Sequence, residues 1–155
     1  MSSPCTTETM LTTMANEQCI DSLWRGNLKL ISVNVSTEDP SIATTTFEFT
    51  VPTLLSNAGG NLHGGAVAVI FDTCTSMTCA AVSKEDFWDA GHVSRHLNCQ
   101  YIRPAPIGCV LVVESTIVHL GKSLGTIRGT MRRKDDGKVC YTCVHDKVQL
   151  FAGRL

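Results

Sequence analysis

Ser56-Asn57-Ala58-Gly59-Gly60-Asn61-Leu62-His63-Gly64-Gly65 is a glycine-rich loop that runs straight into an apolar stretch, residues 66–83, broken by a single carboxylate at Asp72. The change of character near His63 decides the fold. Up to Asn61 the residues are those of a turn. Beyond it, Val67, Val69, Ile70, Phe71, Met77, Ala80, Ala81 and Val82 fall on almost every side of a helix expected over about residues 63–83. A helix that is apolar nearly all round must be surrounded, and the rest of the chain offers strands to do it.

Upstream, residues 27–37 alternate Leu28, Leu30, Ser32 and Asn34 against Lys29, Ile31, Val33 and Val35, which suits a strand. Asp39-Pro40-Ser41 is a turn signal, and the Thr/Phe-rich run 42–51 reads as a second strand pairing back. Residues 15–24 read as a short helix with Cys19, Ile20, Leu23 and Trp24 on one side; residues 1–15 read as a flexible polar tail, leaving one domain over 16–155. Downstream, four more strands are expected over 91–103, 109–120, 124–134 and 139–151. Their breaks are Pro104-Ala105-Pro106-Ile107-Gly108, Gly121-Lys122-Ser123 and Asp135-Asp136-Gly137, the last a hairpin signal. The expected order is two strands, one long buried helix and a meander of four. This is an α+β arrangement, a central helix wrapped by a curved antiparallel sheet of five to six strands. The sheet face away from the helix would stay bare, which calls for a second copy of the chain.

Composition narrows the function classes. A length of 155 residues suits one domain, and 43% apolar against 17% charged residues is apolar for that size. A formal net charge of −1 offers no global attraction to nucleic acid or to an anionic membrane. Eight cysteines would suit a secreted disulfide scaffold, but residues 1–16 have no basic start, apolar segment or arginine, so neither a secretory nor a mitochondrial leader is expected. No run reaches the roughly 18 apolar residues of a membrane span. A cytoplasmic protein with small, buried, unpaired cysteines is the expectation. Cys140-Tyr141-Thr142-Cys143 is a lone CxxC in a strand-like run, and no metal site is expected there.

Gly64 and Gly65 open the helix, so their N–H groups are among the first-turn donors without intrahelical partners, at the positive end of the dipole. Lacking side chains, they would let a carbonyl oxygen approach. Asp72 lies about two turns on and would be costly to bury without a partner or a task. Taken singly, His-Gly-Gly is common loop chemistry and a lone helical Asp is usually solvated; together on one apolar helix they point to a reactive site.

The segment Asn57-x-x-Gly60-x-x-His63-Gly64-Gly65 with Asp72 resembles the hotdog-fold acyl-CoA thioesterases of the phenylacetate-type and thioesterase-superfamily-member-two-like branch. The resemblance continues through Val93-Ser94, Asn98, Tyr101, Pro104-Ala105, Gly108, Gly121-Lys122, Leu124 and Gly137-Lys138, over about residues 51–149. It implies hydrolysis of an acyl thioester, with Asp72 as general base or nucleophile, Ser94 positioning the water, and Asn57 and Gly64 polarising the carbonyl. His63 would fix the loop. The site would straddle a homodimer, or a dimer of such dimers, with Asn57 and Gly64 from one protomer and Asp72 and Ser94 from the other.

The resemblance also implies a pantetheine–nucleotide groove along Gly65, Tyr101, Arg103, Pro104, Gly121, Lys122 and Ser123. Arg103 and Lys122 are its natural phosphate partners. No cofactor is implied beyond the CoA or phosphopantetheine of the substrate, and the partners are acyl-CoA or an acyl carrier protein. Arg95 and His96 depart from the family pattern, as do Cys74, Thr75, Ser76 and Cys79 on the helix; both point away from a plain long-chain fatty-acyl substrate. Alternatives are release of an acyl or polyketide chain from a carrier protein and a non-catalytic acyl-thioester binder. A hydratase pattern is poor, since no His follows Asp72 before His92. Burial in an apolar helix is expected to raise the pKa of Asp72.

Overall fold

A 17-residue helix lies across one face of a six-stranded antiparallel sheet in the computed structural model, which describes residues 26–151 together with Ile20 and Ser22. The expected tail over 1–15, and all of the expected helix over 15–24 except those two residues, lie outside the described residues. The elements are β1 (Leu28–Val35), β2 (Ala43–Thr50), a short 3-10 turn (Thr53–Leu55), α1 (Gly64–Ala80), β3 (His92–Tyr101), β4 (Val110–Leu120), β5 (Leu124–Arg133) and β6 (Val139–Gln149). Helix α1 stops at Ala80, three residues short of the expected end. There the chain tightens: the N–H groups of Val82 and Ser83 reach back only three residues, to Cys79 and Ala80, and the Ser83 hydroxyl donates to the Ala80 carbonyl at 2.9 Å.

The sheet order is β1-β2-β4-β5-β6-β3, which corrects the expected meander of four. Strands β4, β5 and β6 do meander, but β3 pairs with β6 at the far edge and β4 pairs with β2. The cause is the helix: α1 carries the chain from β2 across the sheet, so β3 begins at the opposite edge and the following loop must return. Phe47, Phe49, Val67, Ile70, Phe71, Met77, Leu111, Val113 and Met131 fill the space between helix and sheet with essentially no exposure. Each buried side chain of this size contributes roughly 1.5–3 kcal/mol. The approach is closest at Gly129 on β5, where an added Cβ would come within 2.7 Å of the Phe71 ring and of Cys143 Sγ.

The helix is not apolar where it meets the upper sheet. The Thr78 hydroxyl lies 2.6 Å from that of Thr45 and 2.8 Å from that of Ser115, all three buried. Cys74 and Cys79 are core residues. The Thr78, Thr45 and Ser115 hydroxyls therefore tie α1 to the sheet. The outward sheet face mixes Thr44, Thr46, Glu48, Glu114, Thr126, Arg128, Thr130 and Arg132, including an Arg132–Glu114 contact of 3.7 Å, with apolar Val112, Leu124 and Val144, the last two 48% and 40% exposed. The unpaired rows of backbone groups are at the two edge strands, β1 and β3, the latter exposed on both faces over most of its length. Cys140 and Cys143 are buried in β6, Cys140 at a shift of register between Met131 and Arg132, and burial pushes the Cys143 thiol up to about 12. Among the described residues no helix is long and apolar enough to cross a membrane.

Candidate active site

The entrance to α1 is held by side-chain caps. Asn57 Oδ1 accepts from the N–H groups of Gly59 and Asn61 at 3.0 and 3.2 Å, and Gly60 takes the left-handed turn position at φ +73°. This loop is exposed, and the Asn57 Nδ2 donor is left without a partner among the described residues. His63 is the N-cap: its Nδ1 accepts the Gly65 N–H at 3.0 Å. Of the two donors anticipated at the helix opening, Gly65 is therefore occupied. The Gly64 N–H is left as a first-turn donor without an intrahelical acceptor. Tyr101, at the end of β3, donates its hydroxyl to the Gly64 carbonyl at 2.9 Å, with its ring 3.5 Å from where a Gly64 Cβ would stand. An open, mostly apolar cleft of about 300 Å³ beside this entrance is lined by Leu54, Leu55, His63, Gly65, Ala66 and Val69.

Asp72 sits two turns along the same helix with its side chain 48% exposed. Its Oδ1 accepts from the Ser94 hydroxyl at 2.7 Å and from Lys147 Nζ at 3.4 Å, and His145 Nε2 lies 3.5 Å away. Ser94 reaches this position because a bulge at Arg95 shifts the register of β3 against β6, so that Ser94 pairs with Lys147 while His96 pairs with Asp146. Burial pushes the Asp72 carboxyl up, but the Ser94 hydrogen bond and the charge of Lys147 outweigh it and hold the group below the ordinary carboxylate value. The expected rise is thus reversed. The reason lies in β6, where sequence reasoning placed no site residue.

Strand β6 turns His145, Lys147 and Gln149 inward, each no more than 4% exposed. The Lys147 ammonium lies 2.9 Å from the Ser76 hydroxyl and is itself pushed down by burial, against the pull of Asp72. His145 Nδ1 lies 2.7 Å from the Thr75 hydroxyl. Burial lowers both His145 and the neighbouring His92 to about 4, so both imidazoles are neutral at pH 7. The signal for this cluster was present as period-2 alternation, Cys143, His145, Lys147, Gln149 against Val144, Asp146, Val148, but its polar set faces the helix.

The residues anticipated along a pantetheine groove separate into two groups. Tyr101, Arg103 and Pro104 lie at the end of β3 near the helix entrance, and the Arg103 guanidinium donates to the Val139 carbonyl at 2.8 Å while remaining exposed. Gly121, Lys122 and Ser123 form the β4–β5 turn at the other end of the sheet, where the Ser123 carbonyl accepts from the Gln149 N–H and that of Gly121 from Trp88 Nε1, both at 2.9 Å. His92 and Tyr101 bound the ten-residue β3 between these ends, on the order of 30 Å at 3.3 Å per residue. One chain does not bring the two groups together.

With this geometry in view, the family model of the Thioesterase superfamily matches residues 59–140, more than half of the chain. The chain belongs to the thioesterase superfamily. It is 30% identical over 92 residues to acyl-coenzyme A thioesterase 13 of Mus musculus, a match covering 59% of this chain and 63% of that protein. The matched stretch is less than two thirds of the length of the curated relatives. Thioesterase superfamily member 2 of zebra fish superposes with a TM-score of 0.79 at 23% identity, covering 94% of this chain and 99% of that one. The PaaI protein of the E. coli phenylacetic acid degradation operon superposes with a TM-score of 0.72 at 17% identity, over 93% and 92%. Both solved structures share the hotdog fold, and they carry the two branch names that the residues around His63 and Asp72 had suggested.

Proposed function

We propose that this chain hydrolyses the thioester bond of an acyl-CoA, or of an acyl group on another phosphopantetheine arm, in a site completed by a second copy of the chain. The observation that carries this reading is Asp72: an ionised, half-exposed carboxylate fastened through one oxygen, on the central helix of a thioesterase-superfamily fold. Its free oxygen takes a proton from water as the water oxygen attacks the thioester carbonyl carbon. The carbonyl electrons move to oxygen, where donors must meet them, and the tetrahedral adduct collapses to the carboxylic acid as the thiolate leaves and takes up a proton. Water is the only co-reactant, and the arm that carries the thioester is part of the substrate.

The donors suited to the oxyanion are the Gly64 N–H and Asn57 Nδ2. Within one chain, Gly64 and Asp72 are eight residues apart, about 12 Å along the helix axis at 1.5 Å per residue. A site that takes its donors from one protomer and its base from the other suits this separation, as the family resemblance implies. The cleft beside Leu54, Leu55 and Val69 offers an apolar wall for the acyl group.

The test is release of free thiol from a panel of acyl-CoAs and acyl carrier proteins by the parent chain and by Asp72→Asn. The parent should turn over at least one of them, and Asp72→Asn, folded and assembled as the parent, should lose about 10²–10⁴-fold in kcat. An Asp72→Asn protein as active as the parent removes Asp72 from the reaction. A parent that binds acyl thioesters without releasing thiol is a binder.

A further inference from the structure

We infer that Lys147 is a positioning residue for the hydrolysis proposed above: with Ser94 it fastens Oδ1 of Asp72, so that Oδ2 alone is presented to water. The inference rests on that functional reading and on the distribution of contacts around the carboxylate. Ser94 Oγ, Lys147 Nζ and His145 Nε2 all converge on Oδ1, at 2.7, 3.4 and 3.5 Å. Oδ2 has no partner among the described residues, although the Asp72 side chain is 48% exposed. The carboxylate therefore has one anchored and one free oxygen, the arrangement a base needs to keep a fixed direction.

Lysine is rarely this deeply buried without a partner, and the Lys147 side chain is 2% exposed. Desolvating an ammonium is costly, and a methionine would occupy the same path to the helix at no such cost. A charge at this depth thus acts on its neighbours, and its neighbours are Asp72 Oδ1 and the Ser76 hydroxyl, the latter at 2.9 Å. Ser76 in turn donates to the Asp72 backbone carbonyl at 2.6 Å, so Lys147 grips both the carboxylate and the turn that bears it.

His145 cannot do this work. The Thr75 hydroxyl donates to the Phe71 carbonyl at 2.7 Å, and so must accept from His145 Nδ1–H. The neutral ring then carries no proton on Nε2, which faces Asp72 and makes no hydrogen bond. The other titratable groups around the carboxylate are His92 from β3, Cys79 on α1 and Cys143 from β6. Burial leaves all of them uncharged near pH 7, the histidine at about 4 and both thiols at about 12. Among the described residues, Lys147 supplies the full positive charge at this oxygen.

The experiment compares the parent, Lys147→Met, Lys147→Gln and Ser94→Ala by two readouts. One is the ¹³C titration of the Asp72 carboxyl in uniformly ¹³C-aspartate-labelled protein, assigned with Asp72→Asn. The other is the pH profile of kcat and KM for acyl-CoA hydrolysis. Loss of Lys147 should raise the Asp72 titration by about 1–3 pH units, as expected for removal of an opposite charge at this range. The acid limb of kcat should move with it, with kcat falling by on the order of 10²-fold from misplacement of the base and KM near the parent's. A merely structural lysine would lower thermal stability and leave both titrations in place. Ser94→Ala, an exposed change that isolates Lys147, should still titrate below the ordinary carboxylate value; an ordinary value there overturns the inference even if neither Lys147 variant folds. An active parent whose carboxyl titration and acid limb ignore Lys147→Met overturns the inference alone. A parent that releases no thiol from any acyl thioester overturns the functional reading and with it the role in hydrolysis.

Discussion

Two inactive variants of this chain should restore each other when mixed. In the proposed site the oxyanion donors and the base come from different protomers, a division that suits the separation of Gly64 and Asp72 along one helix, about 12 Å. Asn57→Asp keeps the Oδ1 that holds the Gly59 and Asn61 N–H groups, and so keeps the loop, but replaces the free Nδ2 donor by an acceptor. Loss of one oxyanion donor costs about 10²–10³-fold in kcat, and loss of the base in Asp72→Asn about 10²–10⁴-fold. In a two-fold dimer formed from an equal mixture, about half of the molecules are mixed. Each of these contains one site with both alterations and one with neither. The mixture should therefore recover about a quarter of parental activity, far above either variant alone. The assay is thiol release after the two differently tagged chains are unfolded, mixed and refolded, with the doubly tagged species isolated to confirm pairing. Were donors and base to act within one chain, every site in the mixture would carry one alteration. A doubly tagged dimer no more active than the mean of its parents would refute the shared site.

Three further outcomes follow from the structure. Because the Asp72 carboxyl is held below its ordinary value, its ionised form persists into acid; kcat/KM of the parent should be level through neutral pH and fall only below the usual carboxylate range, and a limb near neutrality would contradict the Ser94 and Lys147 contacts. Gly129→Ala forces a Cβ to 2.7 Å from Phe71 and Cys143 Sγ, and should cost about 1–3 kcal/mol in urea unfolding; an unchanged midpoint would mean that helix and sheet separate freely. Lys122→Ala, in the exposed β4–β5 turn, should raise KM for acyl-CoA with kcat nearly unchanged, whereas a collapse of kcat would place it in the chemistry.

The elements were legible because each is bounded by residues that leave the chain little choice. Asp135-Asp136-Gly137 closes β5 to β6 with Gly137 at φ +68°, and the breaks at Gly121-Lys122-Ser123 and Pro104-Ala105-Pro106-Ile107-Gly108 fall between strands as expected. What periodicity does not encode is which strands become neighbours. Strands β3 and β4 are consecutive and separated by a Pro/Gly-rich loop, which locally resembles a meander. Only the breadth of a helix laid across the sheet sends β3 to the far edge, and that is a property of the whole fold. The composition of the outward face was hidden for a related reason: β2 and β5 show their threonines in the sequence, yet which alternate set turns outward depends on which set finds the helix.

The site divides along the same line. Asn57, His63, Gly64 and Asp72 lie within sixteen residues of one another, on a loop and the helix it opens; helix geometry pointed to Gly64 and Asp72, and the family resemblance to Asn57 and His63. Lys147 and His145 meet Asp72 across more than seventy residues of chain, through a β6 whose alternation runs against the usual rule. In β6 the polar residues His145, Lys147 and Gln149 point inward and Val144 points outward, 40% exposed. A strand read by hydrophobicity alone would be turned over, its charges sent to solvent and its valines to the core. It stands the other way because the helix face it meets carries Asp72, Thr75 and Ser76 where an apolar helix would carry leucines. Two of the three inward polar groups find partners there: Lys147 at Asp72 and Ser76, His145 at Thr75. A carboxylate alone on an apolar helix was the visible half of a pair whose other half is buried, and the cost of burying it was reason to look for an inward-facing cation elsewhere in the chain. Among the lysines and arginines placed in the expected strands, Lys147 is the one flanked on both sides by alternating buried residues, Cys143 and His145 before it and Gln149 after it.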